Sequence, residues 1–219
     1  MEWLMQIVGL ILHLDQHLLE FTQNYGAWIY GLLFVIVFCE TGLVVTPILP
    51  GDSLLFVAGT LAAVSTATGE AVLNVHLVAG LLLVAATLGD SVNYGVGKWL
   101  GPRVFRMQDS WFFSRKYLEA AQAFYRKHGG KTIVIARFVP IIRTYAPFVA
   151  GVGAMDYRRF IVFNVGGALL WVLLLVYGGY FFGNLPWVKL HLSKVILGIV
   201  VLSILPGVIE YLRNRRSVS

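Results

Sequence analysis

The chain has 219 residues, 58% of them apolar and only 13% charged, with a formal net charge of +6 and a single cysteine. A charged fraction so far below the roughly 25% of soluble domains makes water a minor solvent for this protein. One cysteine, Cys39, excludes an internal disulfide and any cysteine-built metal cluster, and no cofactor is expected. Taken in chain order as a single membrane domain over 1–219, the segment 1–20 reads as an interfacial helix. It lacks the basic start of a secretory signal and carries His13, Asp15 and His17 inside its apolar pattern. Residues 27–66 follow as a hairpin that enters the bilayer and returns. Its tip lies at Thr46–Asp52, where Pro47, Pro50 and Gly51 cannot continue a helix. A span is predicted over 72–97, an amphipathic cytoplasmic helix over 103–128, and a second re-entrant hairpin over 131–155 with its tip around Pro140 to Pro147. Spans over 158–183 and 191–212 and a basic tail at 213–219 complete an all-α integral membrane protein of about three full spans.

Charge placement orients this scheme. Eight basic residues lie between Lys98 and Lys131 against two acids, Asp109 and Glu119, whereas Met1–Gly26 and Leu61–His76 hold no Lys or Arg. The first stretch and the C-terminal tail are therefore placed on the cytoplasmic side, and the other two outside. An inside N-terminus, with 27–46 as a full span, is the alternative that the charge rule leaves open. Since topology accounts for the positive charge, no nucleic-acid partner is expected.

The chain also echoes itself. Phe56-Val57-Ala58-Gly59 recurs as Phe148-Val149-Ala150-Gly151, and Gly97-Lys98-Trp99-Leu100-Gly101 has a counterpart in Gly179-Tyr180-Phe181-Phe182-Gly183. By the charge rule the two units enter from opposite sides, which makes an inverted repeat with two proline-broken hairpins, an arrangement typical of transporters.

Charges inside apolar runs carry the chemistry. Glu40 and Asp52 lie in the first hairpin, and an ionised carboxylate in hydrocarbon costs at least about 2.5 kcal/mol. Arg137 and Arg143 occupy the second hairpin, and guanidinium does not neutralise, so each needs an anion. If the tips meet, two acids and two arginines converge. Mutual bracing is one outcome, and bidentate phosphate binding is the other. Asp90, with Asn93 and Tyr94 beside it, is a further candidate, either as a proton relay or as part of a polar cluster packing helices. Asn164, Gly166, Gly167 and Trp171 read as packing and interface residues rather than ligands. His13 and His17 have the spacing of a zinc pair but lack a third ligand. Gly51-Asp52-Ser53-Leu54 spells a hydrolase nucleophile block without a histidine base for Ser53. His128-Gly129-Gly130 reads as a helix end.

Phe38-Cys39-Glu40-Thr41-Gly42-Leu43, Pro50-Gly51-Asp52-Ser53-Leu54, Gly89-Asp90, Arg137-Phe138-Val139-Pro140, Arg143 and Ala150-Gly151 together resemble the DedA family of membrane proteins, which carries a VTT-type domain. The resemblance covers nearly the whole chain. It implies a bacterial inner-membrane protein with two facing re-entrant hairpins, in a family that includes undecaprenyl-phosphate translocases and relatives linked to lipid scrambling, with dependence on the proton gradient. The family's functional acids fall on Glu40 and Asp52 and its functional arginines on Arg137 and Arg143. The expected function is a proton-coupled transporter or flippase for an anionic phospholipid or polyprenyl phosphate. Arg137 and Arg143 would bind substrate, while Glu40, Asp52 and Asp90 would exchange protons. The alternatives are a membrane lipid phosphatase or phosphotransferase, disfavoured by the absence of an embedded Cys or His nucleophile system, and a structural role in envelope assembly. Assembly as a homo-oligomer is left open.

Overall fold

A computed structural model describes residues 28–43, 51–63, 71, 73–106, 115–191, 194, 195 and 198. Every regular element among them is helical, as expected: α1 (Trp28–Gly42), α2 (Gly51–Ala62), α3 (Val75–Leu100), a 3-10 stretch (Gly101–Arg106), α4 (Arg115–His128), a 3-10 turn (Gly129–Lys131), α5 (Thr132–Ala136), α6 (Pro140–Val152), α7 (Tyr157–Val172), a π-turn (Leu173–Tyr177), α8 (Gly178–Gly183) and α9 (Pro186–Leu190). The expected interfacial helix at 1–20, Pro47, Pro50, most of the span at 191–212 and the basic tail lie outside the described residues.

Among the described residues, two helical runs are long and apolar enough to cross a membrane, Val75–Leu100 and the continuous run Tyr157–Gly183. At 1.5 Å per residue each is about 40 Å long, more than a hydrocarbon core requires. Each keeps one apolar face exposed, formed by Leu77, Val84, Leu88, Val92 and Val96 on α3 and by Val162, Val165, Leu169 and Leu173 along the second run. Spacings of three and four place those residues in a stripe suited to lipid.

Local chemistry explains where helices stop. Gly101 follows α3 at φ +56° and Gly129 follows α4 at φ +58°, the left-handed conformation that ends a helix without a Cβ penalty. Gly129 thus ends α4 at His128, whose ring Nδ1 lies 3.1 Å from the Phe124 carbonyl oxygen. Within the range expected as one helix, 103–128, the chain up to Arg106 belongs to the 3-10 stretch, α4 covers Arg115–His128, and residues 107–114 lie outside the described residues. Asp156 caps α7 by accepting from the Arg159 amide at 3.1 Å.

The segment expected as the second hairpin also differs in detail. Its break falls at Arg137–Val139, and Pro140 occupies the first turn of α6 after an extended Val139, the place where a missing N–H costs nothing. Pro147, expected at the tip, lies inside α6. It removes one backbone bond there, and the buried Ala146, Phe148, Val149 and Ala150 around it offset that loss by packing.

The chain forms two compact units, the first including Pro50–Ala79 and Leu175–Ser219, the second Phe34–Leu49 and Gly80–Leu174. In the first unit α2 packs on α8, and in the second α6 packs on α4 and α5 on α7. A shared packing device recurs in both. In the first, Gly179 lies against the Phe56 carbonyl and Gly59 against the Val176 carbonyl and the Tyr180 amide. In the second, Gly97 lies against the Phe148 carbonyl and Gly151 against the Tyr94 carbonyl and the Lys98 amide. The residues that echo in sequence are thus those whose backbones touch.

Candidate functional site

Among the described residues, the second unit holds a buried ion pair, Arg137–Asp90, and a part-buried one, Arg143–Glu40. Arg137, the residue that caps the C-terminal end of α5, directs Nη2 to the Asp90 carboxylate on α3, and Arg143, in the first turn of α6, directs Nη2 to the Glu40 carboxylate on α1. Glu40 is 2% exposed, Asp90 4% and Arg137 6%. Breaks in the helices position these arginines. α5 ends at Ala136, so Arg137 enters a turn and its side chain can reach α3. Proline restarts the helix three residues later and aims Arg143 toward α1.

Trp171 on α7 is shared by both cations. Its ring centroid lies 5.9 Å from the guanidinium carbon of Arg137 and 5.9 Å from that of Arg143. Cation–π contacts of this kind contribute about 0.5–2 kcal/mol each, more when water is absent. Glu40, Thr41, Asp90, Arg137, Arg143, Thr144 and Trp171 surround a cavity of about 20 Å³. That is about the room of one water. An anion that takes both guanidinium forks competes with the carboxylate oxygens already on them.

A polar framework supports the pairs. Asn93, fully buried on α3, donates from Nδ2 to the Thr41 carbonyl at 3.1 Å and to the Thr144 carbonyl at 2.8 Å, tying α1, α3 and α6 together. Beside Asp90, Gly89 and Gly42 bring α1 and α3 into backbone contact; a Cβ on Gly42 would stand 3.3 Å from the Gly89 Cα. Asn164 on α7 accepts from Arg137 Nη2 at 2.6 Å and donates to the Thr87 carbonyl at 3.0 Å.

Of the residues singled out from sequence, Glu40, Asp90, Arg137 and Arg143 come together here. Asp52 belongs to the first unit, half-buried in the first turn of α2, and Gly51 is buried as that helix's first residue. Ser53 is buried beside them, away from solvent. Asn164, Gly167 and Trp171, read from sequence as packing residues, all touch Arg137. A signal was present, since offsets of three and seven place them on one helical face. No group of three or more His, Cys, Asp or Glu side chains able to hold a metal occurs among the described residues.

The adjacent glycines of α7 give a sharp contrast. A Cβ on Gly167 would stand 3.2 Å from the Arg137 Cδ and Nε and from the Val134 Cα, whereas Gly166 faces open space. Gly167→Ala is expected to lower stability by about 1–3 kcal/mol through overpacking. Gly166→Ala should be neutral or stabilising by up to about 1 kcal/mol through helix propensity. Thermal unfolding of the purified protein in detergent checks both, and equal melting of the two variants contradicts this seating of Arg137.

The VTT domain family matches residues 49–181, a range that includes Asp90, both arginines, Asn164 and Trp171. Protein DedA of Escherichia coli strain K12 is 57% identical over 96% of this chain and 94% of its own. An uncharacterized membrane protein of Mycobacterium leprae is 40% identical over 89% of this chain and 85% of its own. The inner membrane protein YqjA of Escherichia coli strain K12 is 38% identical over 72% and 69%. No solved structure matches the chain. The VTT-domain match over residues 49–181, with 57% identity to a DedA protein over 96% of the chain, places it in the DedA family of membrane proteins.

Proposed function

We propose that this protein is a proton-coupled carrier, a flippase, for an anionic lipid of the polyprenyl-phosphate kind in the bacterial inner membrane. The observation that carries the reading is the pair of arginines, each on its own carboxylate and both against Trp171, around one cavity in an apolar helical unit. Guanidinium keeps its charge at all relevant pH, whereas a carboxylate can accept a proton. Proton binding at Glu40 or Asp90 therefore leaves a planar, doubly donating cation without its counter-charge, and a phosphate monoester satisfies it through two oxygens. When the carboxylate loses its proton it competes for the same fork and expels the anion. Transport is coupled to protons in this way with no covalent step. Asp52 is assigned a similar proton-exchanging part from its place beside the proline tip expected from sequence, and the two proline-containing segments would act as re-entrant hairpins of an inverted repeat.

Since both arginines are paired, a bracing role for the two ion pairs is the competing reading. Transbilayer movement of labelled polyprenyl phosphate in liposomes, with and without a pH gradient, separates the two. Gradient-dependent movement by the wild type, reduced about a hundredfold or more in Glu40→Gln and Arg137→Ala, is expected from loss of charge-assisted hydrogen bonds. Movement unchanged in both variants, with the proteins folded, would return the pairs to a purely structural part.

A further inference from the structure

We infer that Asn164 is a positioning residue that fixes Arg137 in place independently of the charge on Asp90, an assignment that rests on the carrier reading for its functional meaning. Nη2 of Arg137 has two N–H bonds and two acceptors, the Asp90 carboxylate and the Asn164 Oδ1 at 2.6 Å. The acceptors do not compete, because each takes its own hydrogen. Asn164 is fully buried, and its Nδ2 donates to the Thr87 carbonyl at 3.0 Å and lies 3.5 Å from the Ser91 Oγ. Reversing the amide would set its donors against the arginine, so Oδ1 is committed to Arg137. Gly167 and Trp171, one and two turns along the same face, complete the seat: one gives space and the other a π surface.

The two acceptors differ in one chemical respect. Asp90 can take up a proton and lose its charge; an amide does neither. Protonation at Asp90 therefore frees the charge of Arg137 without freeing the side chain. Asp90 governs whether the cation is available, and Asn164 governs where it stands.

Residue-resolved labelling with phenylglyoxal, read by mass spectrometry on the full-length protein in detergent, tests this without any lipid. Asn164→Leu, which keeps the branching, is somewhat bulkier and loses the acceptor, is expected to speed modification of Arg137 about tenfold or more, with the rate at Arg143 unchanged. Asn164→Asp, which keeps an acceptor, should hold Arg137 near its wild-type rate. An unchanged Arg137 rate in Asn164→Leu overturns the assignment, and so does an equal rise at both arginines, which would mean general loosening. In liposomes, Asn164→Leu should raise the half-saturating concentration of polyprenyl phosphate about tenfold with little change in maximal rate, the mark of a displaced ligand rather than a lost fold. A wild type that moves no such lipid would remove the carrier reading, while the labelling rates would still decide the clamp.

Discussion

Arg137→Met is expected to destabilise the protein by about 3–5 kcal/mol, because Asp90 and the Asn164 Oδ1 would be left buried without the cation they share. Adding Asp90→Asn to the same chain removes the stranded charge and should restore most of that loss, since an apolar or neutral replacement of a whole buried pair is often close to neutral. Unfolding of the two variants in detergent measures the recovery. Transport should not recover with it, because the neutral pair has no fork to offer a phosphate. A double variant that is stable and silent identifies Arg137 as the anion's ligand; one that is stable and carries lipid makes the pair a brace. Stability and activity therefore separate at this position, which a single substitution cannot achieve.

Gly97→Ala and Gly179→Ala are expected to be among the most damaging substitutions outside the charged site, at about 3 kcal/mol each, near the top of what overpacking costs. An added Cβ would overlap the Phe148 carbonyl in one case and the Phe56 carbonyl in the other, and neither is a side chain that can turn aside. Gly80→Ala and Gly95→Ala, on the same helix as Gly97 but facing open space, serve as references and should not destabilise. Folded yield and melting temperature of the four purified variants provide the comparison. Melting of Gly97→Ala at the temperature of Gly95→Ala would show that the helices do not approach as closely as described.

Much of the helical layout is legible in the sequence because apolar runs, prolines and glycines act locally. The helices of α3 and of Tyr157–Gly183 follow from composition, and the glycine after His128 follows from its φ. The repeated Phe-Val-Ala-Gly segments could be noticed as a likeness, but the likeness alone does not say that each glycine faces a backbone carbonyl. Pairing within the site is less legible. Glu40 meets Arg143 across 103 positions and Asp90 meets Arg137 across 47, and no periodicity links residues so far apart. Asp90 had two sequence readings, relay or packing, because a buried acid declares its cost but not its partner. Pro147 reads as a hairpin tip yet lies inside α6, because proline marks a break only where packing does not compensate for the lost bond. Asn164 and Trp171 read as packing and interface residues because an amide and an indole in an apolar helix ordinarily serve so; their contacts with Arg137, and that of Trp171 with Arg143, come from elements distant in sequence.

The glycine contacts described in both units also bear on which codon changes the chain can accept. Any glycine codon can become one for a residue with a Cβ through a single base change. At Gly97 and Gly179 every such change drives an atom into a carbonyl. Between the flanking glycines the two segments differ freely: Lys98, Trp99 and Leu100 stand in one, and Tyr180, Phe181 and Phe182 in the other. The second glycine of each set suits its place for a different reason. Gly183 is held by the nearness of the Thr60 backbone, and Gly101, with open space beside it, by its left-handed φ of +56°. The same letter serves twice, once for want of room and once for the handedness of the chain.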